Sequence, residues 1–143
     1  MRLGAPTERP PMDASRTDYD FAVLRVVPHV HLGAFVNVGV VLHARREGFL
    51  ALRVLTDPTE LAARLPGFDV EMLVRYLRAC QAIAAGDASA GPVALAPTSE
   101  RFHWLTAPRS DVLQSSPVHE GVSGDPEGAL AELYELYVNA KRP

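Results

Sequence analysis

The chain has 143 residues, of which 48% are hydrophobic and 22% charged, and this length and balance are typical of one soluble globular domain. Its net charge of −3 disfavours nucleic acid as the main partner, because phosphate binding usually shows as a basic domain. No apolar stretch approaches the roughly 18 residues that span a bilayer, and the single cysteine excludes an intrachain disulfide. We therefore expect a cytoplasmic protein without a membrane segment; the sequence leaves its oligomeric state open.

The beginning of the chain differs from the rest in composition. Residues 1–17 contain three Arg and three Pro, and they lack the apolar stretch of a signal peptide. Such a segment has too few apolar groups to offset the entropy lost on ordering. We therefore expect residues 1–17 to be a disordered tail and residues 18–143 to form a single domain.

Three apolar segments follow, and each predicts a β-strand. Residues 19–27, 34–43 and 49–55 are rich in Val, Leu and Phe, which favour extended structure. The first segment is apolar on both faces, which is typical of a central strand, and it ends at Pro28. A polar turn that ends in Gly48 joins the second and third segments, so these two are predicted to form a hairpin.

Asp-Pro pairs mark two helix starts. At Asp57-Pro58 and again at Asp125-Pro126, a carboxylate at the N-cap precedes a proline at the first helical position. Asp69 is predicted to cap a longer amphipathic helix that ends near residue 85, and the last helix is predicted to end near residue 139.

The segment between these helices is harder to interpret. Residues 86–100 are rich in Gly, Ala, Pro and Ser, which predicts a loop. Residues 101–107 are predicted to be a strand with Phe102 and Trp104 on one face, and residues 112–122 to be an extended segment broken by a proline. The sum of these elements predicts an α+β fold, with an antiparallel sheet of four or five strands and helices packed on one face.

Two predicted strands are interrupted by a polar residue, Arg25 in the first and Asn37 in the second. Burying such a group without partners costs about 1–3 kcal/mol, so each residue belongs either to an internal polar network or to a site. For Arg25 the candidate internal partners include Asp20, Glu120 and Asp125, and the alternatives are a bound anion or simple exposure at a strand end.

The surroundings of Asn37 depend on how its strand alternates. Strict alternation places Phe35, Asn37, Gly39 and Val41 on one face of the second strand. A glycine within a strand often marks a bulge or the close approach of another backbone or a ligand. Asn37 therefore either holds a neighbouring loop or belongs to a site.

A second group of polar side chains follows the predicted strand at residues 101–107. The guanidinium of Arg109, the amide of Gln114 and the hydroxyl of Ser116 are groups that bind phosphate or carboxylate, although a proline-containing turn also uses them to satisfy its own backbone. The chain contains no phosphate-binding loop signature and no Gly-x-Ser-x-Gly motif. We predict that ligand or partner binding involves Arg25, Asn37, Arg109, Gln114 and Ser116, with no catalytic residue assigned.

The histidines and the cysteine do not form a metal-binding motif. His29 and His31 are two residues apart, but a zinc site needs three or four converging ligands, and no spacing in this chain enforces that. We expect surface histidines, a buried and inert Cys80, and no metal or other cofactor.

Five sequence blocks occur in an order similar to that of a known family: RVVP at 25–28, FVNVGVV at 35–41, WLTAPR at 104–109, QSSPV at 114–118, and DP at 125–126 before a Leu/Tyr-rich helix. Over about residues 19–138 the chain resembles the bacterial domain-of-unknown-function family 3037. One difference is Ala34, which stands where that family often has an acidic residue.

The resemblance implies a role but no reaction. The family has no established activity, and it is associated with gene pairs in which the neighbouring gene resembles a HipA-like kinase of the toxin type. This association implies a non-enzymatic accessory protein that binds a protein partner, with the neighbouring kinase-like product as the first candidate. The alternative is a small enzyme or binding module for a phosphate-bearing ligand, built from Arg25, Asn37, Arg109 and Ser116. Convergence of these four residues on an open cleft would favour the alternative, and internal pairing would favour the accessory role.

Overall fold

The computed structural model describes residues 16–28, 34–107 and 112–139. Within these ranges the chain forms a five-stranded antiparallel sheet and four α-helices, which confirms the predicted α+β class. The strands are β1 (Thr17–Val26), β2 (Val36–Ala44), β3 (Phe49–Val54), β4 (Leu113–Ser115) and β5 (His119–Ser123). The helices are α1 (Pro58–Arg64), α2 (Val70–Ala85), α3 (Thr98–Thr106) and α4 (Pro126–Tyr134), and a π-helical turn (Glu135–Asn139) continues α4.

Strand β1 lies at the centre of the sheet. The strand order is β3-β2-β1-β4, and β5 also pairs with β1. β4 pairs with residues 24–26 of β1 and β5 with residues 17–21, so the two short strands share one edge of β1 in tandem. Pro117 lies between them, where its missing N–H prevents a continuous ladder. The predicted central strand, the β2–β3 hairpin and the broken extended segment are all confirmed.

Helices cover both faces of the sheet. Ala22 and Leu24 of β1 lie in a core with α1, α2 and α3, and we name this side the α2 face. Phe21 and Val23 lie in a second core with α4, and we name that side the α4 face. The expectation of helices on one face therefore has to be corrected for α4. The physical reason is visible in β1 itself, because a strand that is apolar on both sides has to be covered on both sides.

The predicted strand at residues 101–107 is wrong, because this segment lies in helix α3. Phe102 and Leu105 are buried and three residues apart, which is a helical spacing. The usual start signal is absent, since Pro97 occupies the N-cap and no side chain caps the helix. The Thr98 hydroxyl, which could have signalled a cap, instead forms a hydrogen bond with Nε2 of His43 at 3.0 Å.

A β-bulge interrupts the alternation of β2. Leu24 pairs with Gly39, but the next residue, Arg25, pairs with Asn37, so Val38 is an extra residue on β2. As a result Asn37 shares the α4 face with Arg25, and Gly39 shares the α2 face with Leu24. The strict alternation expected from the sequence does not hold beyond the bulge.

Gly39 is needed where the bulge brings β3 close. A Cβ atom at this position would lie 2.5 Å from Cγ1 of Val54 and 3.0 Å from the carbonyl oxygen of Arg53. The expectation that this glycine marks a bulge and a close backbone approach is confirmed.

No helix in the described part of the chain combines the length and the apolar character that crossing a membrane requires.

Candidate functional site

Three of the residues predicted for the site form a row across the sheet. Arg25 on β1 is the register partner of Asn37 on β2 and of Gln114 on β4. Residues directly opposite each other in antiparallel strands project from the same face, with Cβ atoms about 5 Å apart. Arg25 and Asn37 are half-buried and Gln114 is exposed. The sheet register therefore brings together two residues near the chain's beginning with one that is far away in sequence.

Arg25 has no carboxylate partner among the described residues. Its guanidinium carbon lies 4.1 Å from the ring centroid of Phe35, a cation–π contact. Its Nε atom is buried and has no hydrogen-bond partner in the described part of the chain. The expected ion pair with one of three carboxylates is therefore not found there, and among the described residues the guanidinium contacts an aromatic ring.

Within the described residues, only one of the two polar atoms in the side-chain amide of Asn37 has a hydrogen-bond partner. Its Nδ2 donates to the carbonyl oxygen of Tyr137 at 3.0 Å, which ties the π-helical turn to β2. Its Oδ1 is buried and has no partner among the residues described. A donor on Arg25 and an acceptor on Asn37 are thus both unsatisfied on neighbouring strands. Such groups cost free energy of folding unless a water or a bound group pairs with them.

Ser116 has a structural role. The residue is buried, and its hydroxyl accepts a hydrogen bond from the backbone N–H of Val23 at 2.9 Å and donates to the carbonyl oxygen of Pro117 at 2.8 Å. These bonds extend the pairing between β1 and β4 up to the proline. The hydroxyl is therefore used within the sheet, away from the row of Arg25, Asn37 and Gln114.

The remaining predicted site residue, Arg109, lies outside the described residues, as do His29, His31 and most of the predicted tail. Among the residues that are described, no group of three or more His, Cys, Asp or Glu side chains is placed to hold a metal ion. Cys80 is buried in α2, as the sequence predicts.

Aromatic side chains extend the row along the α4 face. The ring centroid of Phe21 lies 6.0 Å from that of Tyr137 and 5.3 Å from that of His119. Tyr137 is 39% exposed and Phe35 is 45% exposed, so both rings present apolar area to solvent on this side of the sheet. We define the Arg25 surface as Arg25, Phe35, Asn37, Gln114 and Tyr137.

A cleft of about 460 Å³ lies on the opposite, α2 face, and sequence reasoning missed it. It is bounded by the beginning of β1, the turn after β2 and one side of α3. The lining residues that matter chemically are Asp18, Asp20, His43, Arg45, Arg46 and His103. They come from three separate segments, so no local motif could reveal them.

His43 lines this cleft, and it is a buried residue rather than the surface histidine we expected. It is 4% exposed, and its ring stacks on Phe102 with the centroids 5.3 Å apart. Burial lowers the pKa of His43; Asp20 opposes this shift, whereas Arg45 and Arg101 add to it. The imidazole is therefore neutral at neutral pH.

Thr98, the hydrogen-bond partner of His43, does not line the cleft. Thr98 is half-buried, whereas the α3 residues that line the cleft are Ser99, Phe102, His103 and Thr106. The hydrogen bond instead holds the start of α3 against β2.

Comparison with known proteins gives one result. Searches of curated proteins and of solved structures found no match. A family profile described as "Protein of unknown function (DUF3037)" matches residues 21–138, from β1 to the π-helical turn. This match confirms the resemblance found in the sequence and covers most of the chain. The chain therefore belongs to the DUF3037 family.

Proposed function

We propose that this chain is a non-enzymatic accessory protein that binds a protein partner through the Arg25 surface. The observation that carries the proposal is the state of Arg25 itself. Its Nε–H is unsatisfied within the described residues, and its guanidinium stacks on a half-exposed phenylalanine. Arginine and aromatic side chains are the groups most enriched at the energetic centres of protein interfaces.

The geometry of the surface supports a macromolecular partner. Phe35 and Tyr137 offer apolar area at the surface, and Asn37 links them through its hydrogen bond to the Tyr137 backbone. Gln114 adds an exposed amide beside Arg25. A partner that places a carboxylate or carbonyl oxygen on Arg25 and an apolar side chain on Phe35 would satisfy both features at once.

The family resemblance supplies the first partner to test, the product of a neighbouring HipA-like kinase gene. Binding to such a partner requires both proteins in the same compartment, and a cytoplasmic location stays a prediction. In this proposal the accessory protein contributes a binding surface and no catalytic group.

Site-specific photo-cross-linking in the native host tests the proposal. p-Benzoylphenylalanine is placed at position 35 and, as a matched control, at position 95, because Leu95 is 70% exposed and lies outside the Arg25 surface. We expect a defined protein adduct from position 35, identified by mass spectrometry, that position 95 does not give. Identical adducts from both positions, or no adduct from position 35, would contradict the proposal.

One observation also supports a second candidate function, that of a small enzyme or binding module for a phosphate-bearing ligand. The unpaired Nε–H of Arg25 suits a phosphate oxygen as well as a carboxylate. Two of the four residues predicted for that site do not add support, because the Ser116 hydroxyl is used within the sheet and Arg109 lies outside the described residues. This function predicts that the chemical shift of the Arg25 Nε resonance changes and saturates when the protein is titrated with inorganic phosphate.

A further inference from the structure

The cleft on the α2 face has two walls of opposite charge. Asp18 and Asp20 line it from β1, and Arg45 and Arg46 line it from the turn after β2. Asp20 is half-buried and the other three residues are exposed. The cleft lies on the face opposite the Arg25 surface, so a ligand bound there would not contact the proposed partner-binding residues.

The two walls are not joined by an ion pair among the described residues. In this cleft, no described carboxylate lies within 4.0 Å of a described guanidinium. The ion pair found among the described residues joins Arg64 and Glu60, which both lie on α1. When a cavity contains negative and positive side chains that do not form ion pairs, both the acidic wall and the basic wall can pair with a molecule bound between them. The cavity of about 460 Å³ is within the usual range of small-molecule sites, about 300–1,000 Å³.

Besides the four charged residues, the lining has polar side chains, His43, Ser99, His103 and Thr106, and aromatic or apolar ones, Tyr19, Phe102 and Val118. His43 is buried and neutral at neutral pH, because burial lowers its pKa. Ser99 and Thr106 on α3 add hydroxyl groups to the lining. A ligand held between the two charged walls therefore meets hydrogen-bonding groups as well as apolar surface.

We propose that this cleft binds a small zwitterion that carries an ammonium and a carboxylate, which is the shared chemistry of a free amino acid and a short peptide. The ammonium pairs with Asp18 and Asp20, and the carboxylate pairs with Arg45 and Arg46. Charge-assisted hydrogen bonds at both ends give orientation as well as affinity. The ligand completes two sets of charges that the described part of the protein leaves apart.

The test uses the full chain and two sets of probes, the free protein amino acids and their alanyl dipeptides, titrated at neutral pH and followed by the ring resonances of His43. We expect saturable binding of at least one probe. Its N-acetyl derivative lacks the ammonium, and its C-terminal amide lacks the carboxylate. Each derivative should bind at least about ten-fold more weakly than the probe itself. Preference for a free amino acid or for a dipeptide identifies the source of the zwitterion.

Variants locate the binding. Asp20→Asn and the double change Arg45→Gln with Arg46→Gln should each weaken binding about ten-fold, whereas Arg78→Gln, on an exposed turn of α2, should leave it unchanged. Asp20→Asn is not expected to unfold the protein, because Asp20 faces Glu120 directly across β1 and β5, and like charges in that position repel.

Several outcomes overturn the proposal. These are the absence of binding by any probe, equal binding of the acetylated or amidated derivative, and affinity that neither the Asp20 nor the Arg45/Arg46 variant changes. Melting temperatures of all variants are measured alongside, and the exposed Arg45/Arg46 pair keeps the test decisive if the Asp20 variant is unstable.

Discussion

Asn37 joins the sheet to the end of the last helix by one hydrogen bond, from its Nδ2 to the carbonyl oxygen of Tyr137. Asn37→Ala should therefore lower the free energy of unfolding by about 1 kcal/mol. A larger loss is not expected, because Oδ1 has no partner among the described residues that the change would strand. Urea denaturation measures this effect, and a midpoint equal to that of the wild type would show that the hydrogen bond contributes nothing.

His43 should make the stability depend on pH. Its pKa is lowered from 6.5 in the folded chain, so the unfolded chain takes up a proton at a higher pH than the folded chain does. The free energy of unfolding is therefore retained above about pH 6.5 and falls as the pH drops from there towards the folded pKa. The melting temperature should therefore decrease as the pH is lowered from 7.5 to 5.5.

The matched variant for this prediction is His43→Gln, whose amide can still form a hydrogen bond with Thr98 but does not titrate. Its melting temperature should change less over the same pH range. An equal change in both proteins would assign the pH dependence to other groups. The lowered pKa of Asp87 does not interfere, because it acts below the ordinary carboxyl pKa of 3.8.

At the level of secondary-structure elements, the bulge in β2 depends on glycine. Gly39→Ala would place a methyl group 2.5 Å from Cγ1 of Val54 and 3.0 Å from the carbonyl oxygen of Arg53. Overpacking of this kind costs about 1–3 kcal/mol of stability, because β3 has to move away from β2.

Chemical denaturation measures the cost, and Gly91→Ala is not a suitable control because φ at Gly91 is 102°. Ala34→Gly, in the exposed residue that precedes β2 by two positions, is a better one and should have a small effect. A Gly39→Ala protein as stable as the wild type would show that β3 adjusts freely.

The sequence predicts those helices and strands that begin or end at a recognisable residue, such as a proline, a glycine or a capping aspartate. β1 and β3 are apolar runs next to Pro28 and Gly48, and α1 and α4 begin at Asp-Pro pairs whose carboxylates accept hydrogen bonds from the first turn. α3 was missed because its N-cap is Pro97 and the Thr98 hydroxyl bonds elsewhere. Gly39 marked the bulge in the sequence, but the extra residue, Val38, and the change of face at Asn37 depend on pairing with β1, which a single strand's alternation does not encode.

The candidate sites were predictable to a different extent. Arg25 and Asn37 were conspicuous because each interrupts an apolar strand, but the addition of Gln114 depends on a register between distant segments. The cleft around His43 combines side chains from β1, the turn after β2 and α3, each unremarkable by itself. Long-range pairing, rather than local pattern, creates both sites.

At the scale of the whole molecule, the two sites lie on opposite faces of one sheet. The Arg25 surface is on the α4 face, and the charged cleft is on the α2 face between the sheet and α3. Two cores, one on each side, cover the rest of the sheet. Because the residues of the two sites do not overlap, variants of one should leave the other intact, and partner binding can be separated experimentally from small-molecule binding.

Binding of a protein partner to the Arg25 surface can be tested directly with purified proteins. The most direct measurement is an affinity titration of the purified chain against the partner proposed above, a purified HipA-like kinase, with Phe35→Ser and Leu95→Ser as a matched pair of exposed apolar residues. We predict that Phe35→Ser weakens binding about ten-fold or more at an unchanged melting temperature, and that Leu95→Ser binds like the wild type. Equal affinity of the two variants, or no binding by the wild-type chain, would show that the partner does not bind through the Arg25 surface.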